Sequence, residues 1–256
     1  MSKSPTDIHW NKRAVYEQNV NAVNIADVSQ RELETEFILQ HVKITDRVLE
    51  VGCGNGFLTN ILRLSSAHVD AFDYAENMIV SAKENYGETN NRFFHDNLLS
   101  PASWDESYDC IVCVRVLINL RDFSEQKRAV ENMQKALRKG GKLLLVEGYA
   151  DGFTELNKLR SKSGIEPLIP AGINYYSKLE EMREFLGKRF TIAEDFHTGC
   201  FDFLTRVVYP ALVGADKATG HSDFHEKIIQ IAKNFNGEQF RTLARLTGFL
   251  LVNNKS

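Results

Sequence analysis

Three glycines at alternate positions, Gly52, Gly54 and Gly56, follow directly on the apolar run Val48-Leu-Glu-Val51 and lead into Phe57-Leu-Thr-Asn-Ile-Leu62. A strand that passes through a glycine turn into a helix lets backbone approach a ligand where a Cβ would collide. That order is the opening unit of an open α/β sheet. In the dinucleotide-binding pattern the glycines fall as GxGxxG, which leaves the helix N-terminus free for a pyrophosphate. Here they fall as GxGxG, Phe57 takes the slot of the third glycine, and Glu50 sets a carboxylate beside the loop. Both departures favour a cationic ligand over a phosphate.

Apolar runs bounded by turn residues predict strands at about 47–51, 69–73, 92–95, 108–114, 142–147, 190–197 and 248–253. Helical patterns fall near 58–62 and 75–85, and again from Asp122, with Glu125 at capping-box spacing, to Gly140. Another covers 178–186. The expected fold is α/β, a Rossmann-like, seven-stranded, mostly parallel sheet with helices on both faces. The whole chain, 1–256, reads as one domain with a helical cap at 1–43, a core at 44–150 and insertions at 151–177 and 198–247. The first insertion carries two prolines and three glycines and reads as loops with short helices. The second, with helical stretches near 204–213 and 224–235, is too long for a hairpin connection and reads as a helical lid or an oligomer contact.

The formal charge of −3 is dispersed, with no run of five like charges, so nucleic acid and membrane surfaces are disfavoured partners. There is no apolar stretch of membrane-spanning length, and the N-terminal residues lack the core of a signal peptide, so a cytoplasmic protein is expected. Four scattered cysteines fit a reducing compartment. Cys110 and Cys113 form a CxxC, but residues three apart on a strand face opposite sides, so buried thiols are expected rather than a metal site. His221 and His225 have metal-like spacing without an evident third ligand, and a solvated helix face is the expectation. No metal is expected.

Asp73 closes the second strand 23 residues after Glu50, and Asp96 follows the third strand another 23 residues on. An acid at the first of these places can accept hydrogen bonds from both hydroxyls of a ribose, although a solvated strand-end acid reads the same way. With the acid-xGxGxG run of Glu50, Gly52, Gly54 and Gly56, and Leu137-Arg-Lys-Gly-Gly-Lys-Leu-Leu-Leu-Val-Glu147 before and along the fifth strand, the chain resembles the class I methyltransferases over 44–149. The resemblance implies S-adenosylmethionine as methyl donor, with S-adenosylhomocysteine as product. Glu50 and the loop, Cys53 included, would hold the methionine portion. Asp73 would hold the ribose, and Tyr74 and Met78 would flank the adenosine. Asp96 would face the adenine amine, with Asn97 and Leu98 offering backbone contacts. Met78 fits a helix-face core role equally well.

Strand ends in such sheets face the ligand crevice, so acceptor contacts are sought at Arg115, Asn119, Glu147 and Tyr149. Arg115 could pair with an anionic acceptor group, line the cofactor pocket or bridge a neighbouring acid. For a hydroxyl acceptor, His197 is the first candidate general base and Glu147 the second. A structural His197 remains open. The run Leu156-Asn-Lys-Leu-Arg160 and Asn174-Tyr-Tyr176 could cover a substrate or be a surface loop. Upstream, His9-Trp-Asn-Lys-Arg-Ala-Val-Tyr16 resembles the segment that folds over the cofactor in small-molecule methyltransferases, with Tyr16 or Trp10 closing the site or packing a helix.

Val114-Arg-Val-Leu-Ile-Asn-Leu120 stands where base-modifying relatives carry (Asp/Asn)-Pro-Pro-(Tyr/Phe), which disfavours nucleobase methylation. The same phrase resembles bacterial enzymes that methylate surface-glycan precursors, including sugar or phosphoramidate hydroxyls. The expected function is therefore methyl transfer to a small molecule, at oxygen. The alternatives are an NAD-dependent oxidoreductase and a non-catalytic S-adenosylmethionine-binding protein.

Overall fold

The computed structural model describes residues 5–17, 27–101, 108–218 and 220–254. Its sheet contains β1 (Arg47–Val51), β2 (His68–Asp73), β3 (Asn91–His95), β4 (Tyr108–Val114), β5 (Leu137–Gly148), β6 (Phe190–His197) and β7 (Leu246–Asn253). The spatial order is β3-β2-β1-β4-β5-β7-β6. The first five strands pair parallel, and β7 runs antiparallel to both β5 and β6. The C-terminal ends of β1 to β6 therefore open on one edge, as the expected mostly parallel sheet requires.

Two apolar layers follow from strand alternation. Leu49, Val51, Ile111, Cys113, Leu143 and Leu145 pack with α5 (Phe123–Ala136) and α7 (Leu179–Gly187) on one face. Val48, Cys110, Val112, Leu144 and Val146 pack on the other with α2 (Val28–Leu39), α3 (Phe57–Leu62) and α4 (Glu76–Tyr86). The CxxC cysteines thus face opposite sides, each fully buried, and burial pushes the Cys110 thiol up to about 12.

The capping residue of α5 is the expected one, since Asp122 Oδ1 accepts from the Glu125 amide at 2.9 Å. Glu125 departs from the capping box by accepting from the Arg121 amide instead. The helix stops at Ala136, short of Gly140, because Leu137 pairs with Tyr108 and begins β5. Helical propensity in Leu137-Arg-Lys139 yields there to the strand ladder. A left-handed turn at Gly140, φ 72°, carries the chain onward.

The insertions are more helical than their composition suggests. Residues read as loops with short helices contain the 13-residue α6 (Ala150–Lys162). After β6 come α8 (Gly199–Phe203), a π-turn (Leu204–Val208) and α9 (Tyr209–Val213), then α10 (Asp223–Phe235) and a 3-10 segment (Glu238–Leu243). Phe201, Ile228, Ile229 and Ala232 pack these helices onto Leu33 of α2. Helix α1 (Pro5–Tyr16) lies against α4, with Trp10 and Ala14 on Ala75 and Met78.

Candidate active site

The glycine loop after β1 has φ values of 68°, 53° and 83° at Gly52, Gly54 and Gly56. Such a left-handed backbone is reached cheaply by glycine alone. Space also dictates the residue, since a Cβ on Gly52 would lie 2.4 Å from Val116 Cγ2. Asp73, at the end of β2, holds this loop. Its Oδ2 accepts from the Gly54 amide and its Oδ1 from the Ala75 amide, both at 2.8 Å. Burial raises the Asp73 carboxyl, and these backbone donors oppose the shift. Cys53 is buried under the loop, its amide bonded to Phe72 O at 2.9 Å.

Glu50 is buried, and its Oε2 accepts from the Thr59 hydroxyl at 2.5 Å. Burial pushes its carboxyl up to about 8 despite that bond. Tyr74 is half-exposed and stacked on His95, ring centroids 6.3 Å apart, while His95 Nε2 meets Tyr74 O at 2.9 Å. Asp96 is tied to β2 through its amide on Asp73 O, and its Oδ1 accepts from the Asn97 amide at 2.7 Å. Asn97 Oδ1 accepts from the Leu99 amide, which makes a tight turn and buries Leu98 in the core. Met78 belongs to the core under α1, so of its two readings the packing one fits the geometry.

Helix α1 crosses the mouth of this crevice. Asn11 Oδ1 accepts from the Asn77 amide at the start of α4, and Trp10 Nε1 donates to Asn119 Oδ1, both at 3.0 Å. Trp10 therefore ties α1 to the turn after β4. Tyr16, at the far end of α1, is 78% exposed and takes no part in that contact.

Among the acceptor-side residues, Arg115 leaves β4 with a left-handed φ of 54°, and its Nε lies 3.3 Å from Glu34 Oε2 of α2. Glu147 turns toward the same exit. Its carboxylate accepts from the Val116 and Leu117 amides at 2.6 Å and the Ile118 amide at 3.4 Å, so it caps the 3-10 turn Leu117–Asn119. Burial pushes it up to about 8. Three orphan amides use the oxygens a general base would need. Tyr149 packs into the α5 face of the core beside Phe249.

His197 ends β6 as expected, but β7 intervenes between β5 and β6, so β6 is the sheet edge. Four strand spacings, about 19 Å, separate it from β1 and the glycine loop. That distance removes His197 as a general base in the crevice. Of the polar groups after β5, Asn157 bonds both the amide and the carbonyl of Leu168, and Arg160 Nε donates to Glu166 O. They shape the loop and are not presented to a ligand. The Tyr175 amide bonds Ile118 O at 2.8 Å and the Tyr176 ring lies against Gly148, which ties this loop to the exits of β4 and β5.

Residues 48–141 match the family model described as a methyltransferase domain. That span takes in the glycine loop, Asp73 and Asp96. This span carries a methyltransferase domain. A malonyl-[acyl-carrier protein] O-methyltransferase of Bacillus anthracis is 30% identical over 138 residues, 52% of this chain and 50% of its own length. The chain spans 41% to 64% of the length of the curated relatives it matches. Among solved structures, N-methyltransferase NodS from Bradyrhizobium japonicum with S-adenosyl-L-homocysteine superposes with TM-score 0.63 at 15% identity, covering 98% of this chain and 100% of that one. Magnesium protoporphyrin IX methyltransferase from Synechocystis gives 0.59 at 17%, covering 97% and 95%.

Sequence reasoning missed the part of the methyltransferase domain's surroundings that α2 contributes. The Arg31 guanidinium stands 3.8 Å over the Phe57 ring, and burial followed by the Arg115 charge lowers its pKa. Glu34, one helical turn on, joins Gln30 to Arg115. The Arg245 guanidinium extends the network from Gln30 to fully buried Asp202. His225 is fully buried, contrary to the expected solvated face. With His221 and Arg206 it surrounds Asp27, the cap of α2. No group able to hold a metal is found among the described residues.

Proposed function

We propose that the chain transfers the methyl group of S-adenosylmethionine to a hydroxyl oxygen of a small-molecule acceptor, the preferred class being sugar or phosphoramidate precursors of a surface glycan. The observation that carries the cofactor half is the Asp73 carboxylate, fixed by the Gly54 and Ala75 amides. With the Tyr74 amide also bonded to it, the carboxylate keeps acceptor capacity beyond its backbone donors, which suits a ribose hydroxyl. The residues around it fit the rest of the donor. Tyr74, the Asp96–Leu98 turn and the loop Gly52–Gly56, with Cys53 beneath it, form the adenosine and methionine walls. Glu50, behind the loop, would ionise against the ammonium end, since a nearby cation opposes the burial that holds its carboxyl up. Arg31 and Arg115 supply positive charge for the carboxylate end.

The bound sulfonium supplies an electrophilic methyl group, so transfer is an in-line displacement that asks chiefly for alignment and desolvation. Helix α1 excludes water through Trp10, and the loop carrying Tyr175 and Tyr176 restricts the acceptor side. Glu147 acts as a positioning residue by fixing the turn that presents Asn119.

Support for oxygen as the target comes from the relatives named as O-methyltransferases. Incubation with S-adenosylmethionine and a panel of sugar, phosphosugar and phosphoramidate acceptors, followed by mass spectrometry, tests the reading. An acceptor gaining 14 mass units in step with S-adenosylhomocysteine supports it. Turnover confined to amine acceptors, added to the same panel, contradicts it.

A further inference from the structure

A cleft of about 360 Å³ opens beside the C-terminal end of β6, between α2, α8, the end of α10 and the 3-10 segment Glu238–Leu243. It reaches the lower part of the range for small-molecule sites, about 300–1,000 Å³. Three strand spacings, about 14 Å, separate it from the end of β4, so its occupant is not the methyl acceptor. Leu33, Phe37, Phe196 and Phe201 give it an apolar floor.

His197 lines this cleft and is 4% exposed. Its Nδ1 faces the Gly199 amide at 3.3 Å, and an amide can only donate, so the proton of the neutral ring is on Nε2. Burial, then the Arg241 charge, lowers the His197 pKa and favours that neutral form. No partner for Nε2 is found among the described residues. Arg241 lines the same cleft. Its other nitrogens serve Glu238 and Asp195, while buried Nη1 has no partner among the described residues. An N–H left unpaired in a dry site costs free energy that an oxygen acceptor would recover.

The rim decides the charge of that acceptor. Four carboxylates, Glu36, Glu194, Asp195 and Glu238, face two bases, Lys233 and Arg241. Both bases are already paired with members of that set. A free carboxylate ligand meets net repulsion there, and a cation has no acceptor to offer the two donors. We propose that this cleft is a second ligand site, taking an uncharged molecule with an apolar body and one carbonyl oxygen that receives the His197 Nε2 and Arg241 Nη1 protons.

The test uses the full chain, labelled for NMR, titrated with hexanamide, hexanoate and hexylammonium as neutral, anionic and cationic forms of one apolar body. Hexanamide should bind saturably and most tightly, with shifts centred on the His197 imidazole and the Phe196 and Phe201 amides. His197→Leu should weaken it about tenfold, the worth of one hydrogen bond. His197→Gln, which keeps an N–H donor, should retain binding, and Leu33→Trp, which fills the floor, should abolish it. The proposal is overturned by the absence of saturable shifts, by shifts centred elsewhere, or by tighter binding of either charged probe. S-adenosylmethionine binding is not read in this titration, so its outcome is separate from the methyltransferase assignment.

Discussion

At Gly52 two constraints coincide, a left-handed φ of 68° and a neighbour, Val116 Cγ2, 2.4 Å from where a Cβ would lie. Gly52→Ala should therefore destabilise the protein by about 1–3 kcal/mol, measured as the urea midpoint. An unchanged midpoint would mean the loop relaxes freely. Glu50 makes a prediction about pH. Its folded-state pKa, about 8, lies above the ordinary value of 4.5. The folded state thus holds a proton that the unfolded state releases. Stability from this group is complete below about pH 4.5 and is lost as pH rises toward 8, by up to about 1.4 kcal/mol per pH unit. Glu147 is shifted the same way. Unfolding free energy of the cofactor-free protein should fall from pH 5 to 8, and Glu50→Gln should flatten that slope. A slope the substitution leaves unaltered contradicts the assignment.

Among the elements, α1 connects two separate sequence features, since Trp10 of the N-terminal segment donates to Asn119 of the phrase after β4. Trp10→Phe keeps the ring packing and removes that bond. Amide exchange in α1 should accelerate, and S-adenosylmethionine affinity should fall about three- to tenfold. Unaltered exchange would show that α1 is held by the Asn11 contacts alone. Element identity was largely legible in the sequence because strand and helix periods are local signals. The β6 bounds, the cap at Asp122 and the opposed faces of Cys110 and Cys113 all follow from them. Lateral order is not a local signal. Nothing in Phe190–His197 says that β7 will insert beside β5, and so His197 looked like a crevice residue when it is an edge residue. Glu147 misled for a related reason, since its partners are amides at the exit of the neighbouring strand.

Across the whole molecule, a buried charge network joins the helices after β6 to α2 and on to the crevice. Arg245 binds fully buried Asp202 and Gln30, Gln30 binds Glu34, and Glu34 pairs with Arg115. Sequence could not reveal it, because Gln30, Asp202 and Arg245 meet only once the sheet has closed and no spacing rule links them. Arg245→Met should leave Asp202 short of its cation and cost about 3–5 kcal/mol by urea denaturation. Adding Asp202→Asn should return part of that loss, whereas simple additivity would indicate independent sites.

The central claim, that a glycine loop fixed by Asp73 binds a sulfonium nucleoside, is tested most directly by calorimetry of S-adenosylmethionine, S-adenosylhomocysteine and NAD on the full chain and on Asp73→Ala. Both sulfur nucleosides should bind the unaltered chain, and NAD should not. Asp73→Ala should weaken them at least tenfold, because the ribose loses its acceptor and the Gly54 amide loses its anchor. Equal affinity in the two proteins, or binding of NAD in place of the sulfur nucleosides, would contradict the account.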